Sequence, residues 1–154
     1  MVVHPFSAIS GEATMLSMKA KYALKSLIVM AGQEKKMLQI KTIAKEADVP
    51  AKFLEAILLD LKRHGVVASK RGVFGGYYLS RPAKEIRVGE VVRVIDGPLA
   101  PIRCASLTAY QRCDDCVDEK TCGIRKAMLK VRNAISDVLD GMSLQELSKQ
   151  GGKL

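Results

Sequence analysis

The segment Lys70-Arg71-Gly72-Val73-Phe74-Gly75-Gly76-Tyr77 decides how this chain is read. Three glycines between positions 70 and 76 signal backbone shapes that other residues resist. Val66-Val67-Ala68-Ser69 before it and Tyr77-Tyr78-Leu79-Ser80 after it read as paired strands. The result is a β-hairpin with Lys70 and Arg71 at its tip, where cations can enter a minor groove or grip phosphates. The bland alternative is a structural hairpin whose charges keep it soluble. A phosphate-cradling loop fits poorly, because the glycine spacing matches neither a P-loop nor a G-x-G-x-x-G fingerprint and no βαβ unit surrounds it.

Upstream of the hairpin the pattern is helical. Tyr22, Ala23, Leu24, Leu27, Ile28, Met30 and Ala31 recur at helical spacing from Met18 to Gly32, and Gly32 is placed as a left-handed stop. Met37-Leu38-Gln39-Ile40 reads as a short extended piece. Lys41 to Ala47 makes a short helix with Ile43, Ala44 and Ala47 on one face, and Asp48-Val49-Pro50 breaks it. Pro50 suits the first position of the next helix, where its missing N–H costs nothing. That helix runs to His64 with Phe53, Leu54, Ile57, Leu58 and Leu61 as its buried stripe, and Gly65 ends it. Two helices joined by a tight turn form a helix-turn-helix; followed by a basic hairpin, they give the winged-helix order.

In the second helix Ala51, Lys52, Glu55 and Ala56 would face a major groove, while Lys62 and Arg63 lie nearer a phosphate backbone. An ordinary surface helix of mixed charge is the competing reading. Charge distribution favours a polyanion: the net charge is +9, and residues 1–95 carry 16 Lys/Arg against 8 Asp/Glu while 96–154 carry 9 against 8. Fixed cations gain by releasing counterions from nucleic acid.

Val88 to Ile95 is a further short helix. From about Gly123 to Asp140 comes the most regular pattern in the chain: Ile124, Met128, Val131, Ile135, Val138 and Met142 are spaced 4, 3, 4, 3, 4. That is a coiled-coil-like seam, widened by Ala127 and Ala134 and ended by Gly141. Ser143-Leu144-Gln145-Glu146 then fits a capping box for a last short helix. The fold class expected is mostly α with a small β-hairpin. The expected organisation is a flexible tail or over-extended start at 1–14, a winged helix-turn-helix at 15–97, an irregular loop at 98–122, and a dimerisation helix with a short terminal helix at 123–150.

All four cysteines lie in that loop, as Cys104-x8-Cys113-x2-Cys116-x5-Cys122. Thiolates are soft ligands suited to iron–sulfur clusters, zinc or copper(I), and a Cys113/Cys116 dithiol switch is a further option. Asp114, Asp115, Asp118 and Glu119 crowd the same loop and raise the cost of gathering thiolates there. No apolar run approaches the roughly 18 residues of a membrane span. Residues 1–14 lack the basic start and apolar block of a secretory signal, so the expected compartment is the cytoplasm. His4 and His64 have no evident nucleophile partner, and neither a catalytic triad nor a protected carboxylate pair is visible, so no enzyme is expected.

Met18-Lys19-Ala20-Lys21-Tyr22-Ala23-Leu24, Phe53-Leu54-Glu55, Leu61-Lys62-Arg63-His64-Gly65-Val66-Val67, Arg71-Gly72-Val73-Phe74-Gly75-Gly76-Tyr77 and Val88-Gly89-Glu90-Val91 together resemble the Rrf2 family of bacterial regulators over about residues 15 to 150. The resemblance implies a homodimeric winged-helix repressor that binds double-stranded DNA and pairs through its long C-terminal helix. Its DNA-contacting set would be Lys52, Phe53, Glu55, Lys62, Arg63, Lys70, Arg71, Gly75 and Tyr77. Many members hold a [2Fe–2S] or [4Fe–4S] cluster on three loop cysteines and sense iron–sulfur, redox or nitrosative status. Cys116 and Cys122 match the last two family cysteines, and Cys113 or Cys104 the first. IscR-like members keep a histidine three residues after the last cysteine; here that residue is Arg125. The alternative is a cluster-free winged-helix protein responding through zinc or a dithiol.

Overall fold

Helix α1, Met18–Gly32, opens on Ser17, whose hydroxyl accepts a hydrogen bond from the Ala20 amide. The computed structural model describes residues 15–33 and 36–151, so the tail expected at 1–14 lies outside the described residues. The chain continues with α2, Ile40–Ala47; α3, Ala51–Arg63; β1, Val67–Lys70; β2, Gly76–Leu79; α4, Val88–Asp96; α5, Gly123–Gly141; and α6, Leu144–Gln150. Single 3-10 turns lie at Ala83–Glu85 and Arg103–Ala105. Among the described residues no helix is long and apolar enough to cross a membrane.

Helix α1 is the central strut, touching α2, α3, α4, α6 and β2. One core joins its Leu27 and Met30 to Ile43 of α2, to Leu54, Ile57, Leu58 and Leu61 of α3, and to Val67, Leu79, Ile86, Val91 and Leu144. Each such side chain contributes about 1.5–3 kcal/mol by leaving water. Asp48 turns the chain between α2 and α3 with φ 50°, a left-handed shape Asp tolerates better than most residues. Gly65, at φ 69°, ends α3 and feeds β1.

Strands β1 and β2 pair antiparallel, with Val67 opposite Leu79 and Lys70 opposite Gly76. Leu38 adds one rung beyond them: its amide donates to the Tyr77 carbonyl at 2.9 Å, and the Tyr77 amide donates back at 2.8 Å. A Cβ on Gly76 would lie 2.6 Å from the Leu38 oxygen, so glycine is what lets this rung form. Of the extended piece read at 37–40, Leu38 forms a bridge at the edge of the wing sheet, while Gln39 caps α2 and Ile40 already belongs to that helix.

Helix α6 starts with the capping box expected from the sequence, with Ser143 and Glu146 bonding reciprocally. The chain there is pinned to the domain, because Val88 N–H donates to Met142 O at 3.0 Å and Leu144 N–H to Ile86 O at 2.8 Å.

Five local expectations change. Pro50 caps α3 from outside, and the helix begins at Ala51 and ends at Arg63. Phe53 leaves the buried stripe and is 48% exposed, because the α3 face that meets the core is narrow and Leu54, Ile57, Leu58 and Leu61 fill it. Gly32 and Gly141 are not left-handed stops. Both stay helical, and Gln33 and Met142 end the helices instead, since neighbouring backbone contacts settle those ends.

Candidate nucleic-acid interface and cysteine loop

On α3, Ala51, Lys52, Phe53, Glu55 and Ala56 all face outward at its N-terminal half. The Lys52 ammonium lies 4.9 Å from the centre of the Phe53 ring, and that ring leans on Tyr22 at 6.3 Å. At the other end, Lys62 Nζ donates to Ser69 Oγ at 2.7 Å and so ties α3 to β1. Arg63 is exposed and 3.7 Å from Asp60. Asp60 is engaged chiefly by Lys19, whose hydrogen bond at 2.6 Å holds its carboxyl below the usual range.

Lys70 closes β1, and the wing turn spans 71–75. Lys70 and Arg71 are exposed, whereas Gly75 is buried and Tyr77 packs partly on the core. Gly75 and Tyr77 thus shape the wing. A Cβ on Gly75 would meet the Lys70 carbonyl oxygen at 2.2 Å, and the Gly75 amide donates to Gly72 O at 2.9 Å. The apex itself is Val73 and Phe74, 86% and 92% exposed, which the sequence reading passed over in favour of the cations beside them.

In the loop, the 3-10 turn at 103–105 buries Cys104 and Ala105. Two arginines of α5 grip that turn: Arg125 Nε donates to Cys104 O at 3.0 Å, and Arg132 Nη1 donates to Ala105 O at 2.9 Å. Cys122 is the N-cap of α5 and its sulfur accepts from the Arg125 amide at 3.5 Å. Cys113 and Cys116 are joined by a turn, with the Cys116 amide donating to Cys113 O at 3.2 Å.

All four cysteines are free thiols. A side-chain hydrogen bond with Cys104 is the main cause that pushes the Cys113 thiol up, with burial and the neighbouring Cys104, Asp115 and Cys122 adding to it. Burial pushes Cys116 up, followed by Cys122 and Glu119. Cys104 is buried and the other three cysteines are half-buried along the same loop. The dithiol expected at Cys113 and Cys116 spans that single backbone turn, and Cys104, carried inward by the 3-10 turn, is a second neighbour that acts on Cys113. In kind, this donor set fits a soft metal or an iron–sulfur cluster. Among the described residues, no three of the Cys, His, Asp and Glu side chains are arranged around one metal position, so the loop must tighten to hold one. Asp118 and Glu119 are occupied in shaping the loop: Asp118 accepts from the Lys120 amide at 3.0 Å and Glu119 from the Tyr110 hydroxyl.

Helix α5 has no fully buried residue. Its seam residues Ile124, Val131 and Val138 are 70%, 40% and 62% exposed. Beside them runs a groove of about 560 Å³ lined by Val92, Pro98, Leu99, Val131, Ile135 and Leu139.

Helix-turn-helix, basic wing and trailing long helix define a winged-helix protein. Residues 16–150 match the Rrf2 family, described as an iron-dependent transcriptional regulator. The chain is 43% identical over 141 residues to the rrf2-like HTH-type transcriptional regulator of Rhodobacter capsulatus, covering 89% of this chain and 94% of that one. The solved structure of CymR, the global cysteine regulator of B. subtilis, superposes with a TM-score of 0.73 at 28% identity, covering 89% of this chain and 98% of that one. T. potens IscR superposes with a TM-score of 0.67 at 26% identity, over 90% and 88% of the two chains. The chain belongs to the Rrf2 family and is a DNA-binding transcriptional regulator.

Sequence reasoning missed Arg132 and, beyond noting Arg125 as a departure, the role of both arginines. Their spacing of seven along one flank of the α5 seam, each directly after Ile124 or Val131, was the available signal.

Proposed function

We propose that the chain is a homodimeric transcriptional repressor whose cysteine loop senses iron–sulfur, redox or nitrosative status. In this reading Lys52, Phe53 and Glu55 address the major groove, Lys62 and Arg63 lie near phosphates, and Lys70 and Arg71 on the wing shaped by Gly75 and Tyr77 hold the backbone. Two copies join through the exposed α5 seam. Cys104, Cys113, Cys116 and Cys122 hold an iron–sulfur cluster, which would supply reactivity toward oxidants or nitric oxide.

The observation that carries the reading is the junction of loop and seam. Cys122 caps α5, and Arg125 and Arg132 of the same helix hold the Cys104–Ala105 backbone. Whatever occupies the cysteines acts directly on the helix that presents the dimer seam, and so on the spacing of the two recognition helices.

Anaerobic purification followed by iron, sulfide and zinc analysis with a visible spectrum tests the sensor. A brown protein with charge-transfer absorbance is expected. Colourless, iron-free protein after anaerobic reconstitution would sink the cluster. The rival is a zinc- or dithiol-based switch, which stoichiometric zinc or a reversible disulfide would establish. DNA binding should weaken steeply with added salt. A Lys70→Ala/Arg71→Ala double variant with unchanged affinity would overturn the wing assignment.

A further inference from the structure

The wing apex carries two large apolar side chains that neither the fold nor the cationic contacts use. Val73 and Phe74 are adjacent and almost wholly exposed, and nothing in the core packs on them. Their support is a closed turn. Gly75 closes the turn onto Gly72 at 2.9 Å and has no room for a side chain. Gln39 Nε2 donates to the Val73 carbonyl at 3.4 Å, bracing the apex against the start of α2. The turn therefore points its side chains outward instead of folding them back.

The surroundings select the occupant. Residues 61–84 hold six Lys/Arg and no Asp/Glu, so the whole hairpin and both its flanks are cationic. An apolar tip framed by Lys70 and Arg71 complements a narrow cleft with polyanionic rims and apolar walls. The minor groove of duplex DNA has that chemistry: phosphates along its rims, deoxyribose lining its walls, and stacked base faces that an inserted side chain can reach only by opening a step. Resting on the DNA-binding reading above, we propose that Val73 and Phe74 are a wedge that enters the minor groove and partly unstacks one base step while Lys70 and Arg71 hold the adjoining phosphates. Such insertions kink a duplex by roughly 20–90° toward the major groove. Pyrimidine–purine steps unstack most readily, so the wing would discriminate sequence through deformability, without a hydrogen bond to any base.

The test uses the full chain and a 30-base-pair duplex taken from a random pool by rounds of selection with the wild-type protein (length set by convenience, about three helical turns). One copy carries a donor and acceptor dye at its ends, and another carries 2-aminopurine at successive TA or CA steps. Wild-type protein should shorten the end-to-end distance and raise 2-aminopurine fluorescence at one step under the wing. Phe74→Ala should abolish both signals and weaken binding roughly tenfold, the order of one lost stacking contact. It should leave the salt slope unchanged, and Phe74→Leu should restore most of the bend. Lys70→Ala/Arg71→Ala should instead flatten the salt slope by about two phosphate contacts. Bending and fluorescence that survive Phe74→Ala overturn the wedge and leave DNA binding intact, as does a wild-type complex that is straight. Selection that yields no bound duplex overturns the DNA-binding reading and the wedge with it.

Discussion

Arg125 donates its Nε hydrogen to the backbone oxygen of Cys104 at 3.0 Å, so the first cysteine of the loop is held by the helix that the last cysteine caps. The bond closes a ring of chain from Cys104 to Arg125, with Cys122 held at the same helix end by the Arg125 amide. Arg132, two turns further along α5, repeats the grip on Ala105.

Arg125→Ala opens that ring. A partly buried, charge-assisted hydrogen bond is worth about 1–2 kcal/mol, and a loss of this order is expected in denaturant unfolding. Limited proteolysis should cut between 106 and 121 faster than in wild type. Unchanged cleavage would show that the loop is held by other contacts.

Arg93 and Asp140 form a two-pronged ion pair, Nη1 to Oδ1 at 2.6 Å and Nη2 to Oδ2 at 2.7 Å, that clamps α4 to the end of α5. The Arg93 hydrogen bond holds the Asp140 carboxyl below its ordinary value. A depressed carboxylate adds stability that is present above the unfolded-chain value, about pH 4, and is lost as pH falls through the folded-state value. Both partners are about a third exposed or more, so the contribution is discounted to about 0.5–1 kcal/mol. The stability gap between wild type and Asp140→Asn should be flat from pH 7 to 5 and shrink in acid. A gap that widens in acid would refute the assignment.

Gly89 lets that clamp form, because a Cβ there would lie 2.0 Å from Asp140 Oδ1. Gly89 is the second residue of α4, where Ala is otherwise favoured over Gly by less than the ~1 kcal/mol of a helix interior. Gly89→Ala should therefore be destabilising or neutral in wild type and stabilising in an Asp140→Ala background. A double-mutant cycle reads the change of sign directly, and additive effects would separate the two residues.

Gly75→Ala should damage the wing alone. The new methyl meets the Lys70 backbone oxygen at 2.2 Å, which no side-chain rotation relieves. Circular dichroism and the unfolding midpoint should change little, whereas affinity for duplex DNA should fall about tenfold or more, in keeping with loss of two phosphate contacts.

Val138→Glu should produce monomers. Val138 is 62% exposed in the single chain, so the charge costs the fold little, but two copies facing each other across the seam would bury it. Sedimentation should show the halved mass with unchanged circular dichroism. A variant that keeps the wild-type mass would place the dimer contact elsewhere.

The helix-turn-helix and hairpin were legible because period and punctuation agree there: Ile43, Ala44 and Ala47, then Leu54, Ile57, Leu58 and Leu61, with Gly65 as the stop. The α5 seam was legible from spacing, and its exposure in one chain follows from that pattern. Phe53 misled because an apolar ring at a helical position looks like core, and only the packed domain shows that its neighbours already fill that face. The cysteine loop was the least legible part. Burial of Cys104 depends on a short 3-10 turn with no periodic signature, and the arginine grips join residues 21 and 27 positions apart through backbone oxygens, which no side-chain pattern announces.

Helix α5 is fastened near both ends, by Arg125 and Arg132 at the cysteine turn and by the Met142 and Leu144 backbone bonds to the strand-like segment at 86–88. Mechanically it is a beam on two supports and not a cantilever. A cantilever would dissipate a disturbance of the cysteine turn by swinging its free end. A doubly held beam can only roll or bow along its length, so in the proposed sensor a shift of the Cys104 carbonyl would reach α4 and α6 as a change of torque rather than of reach.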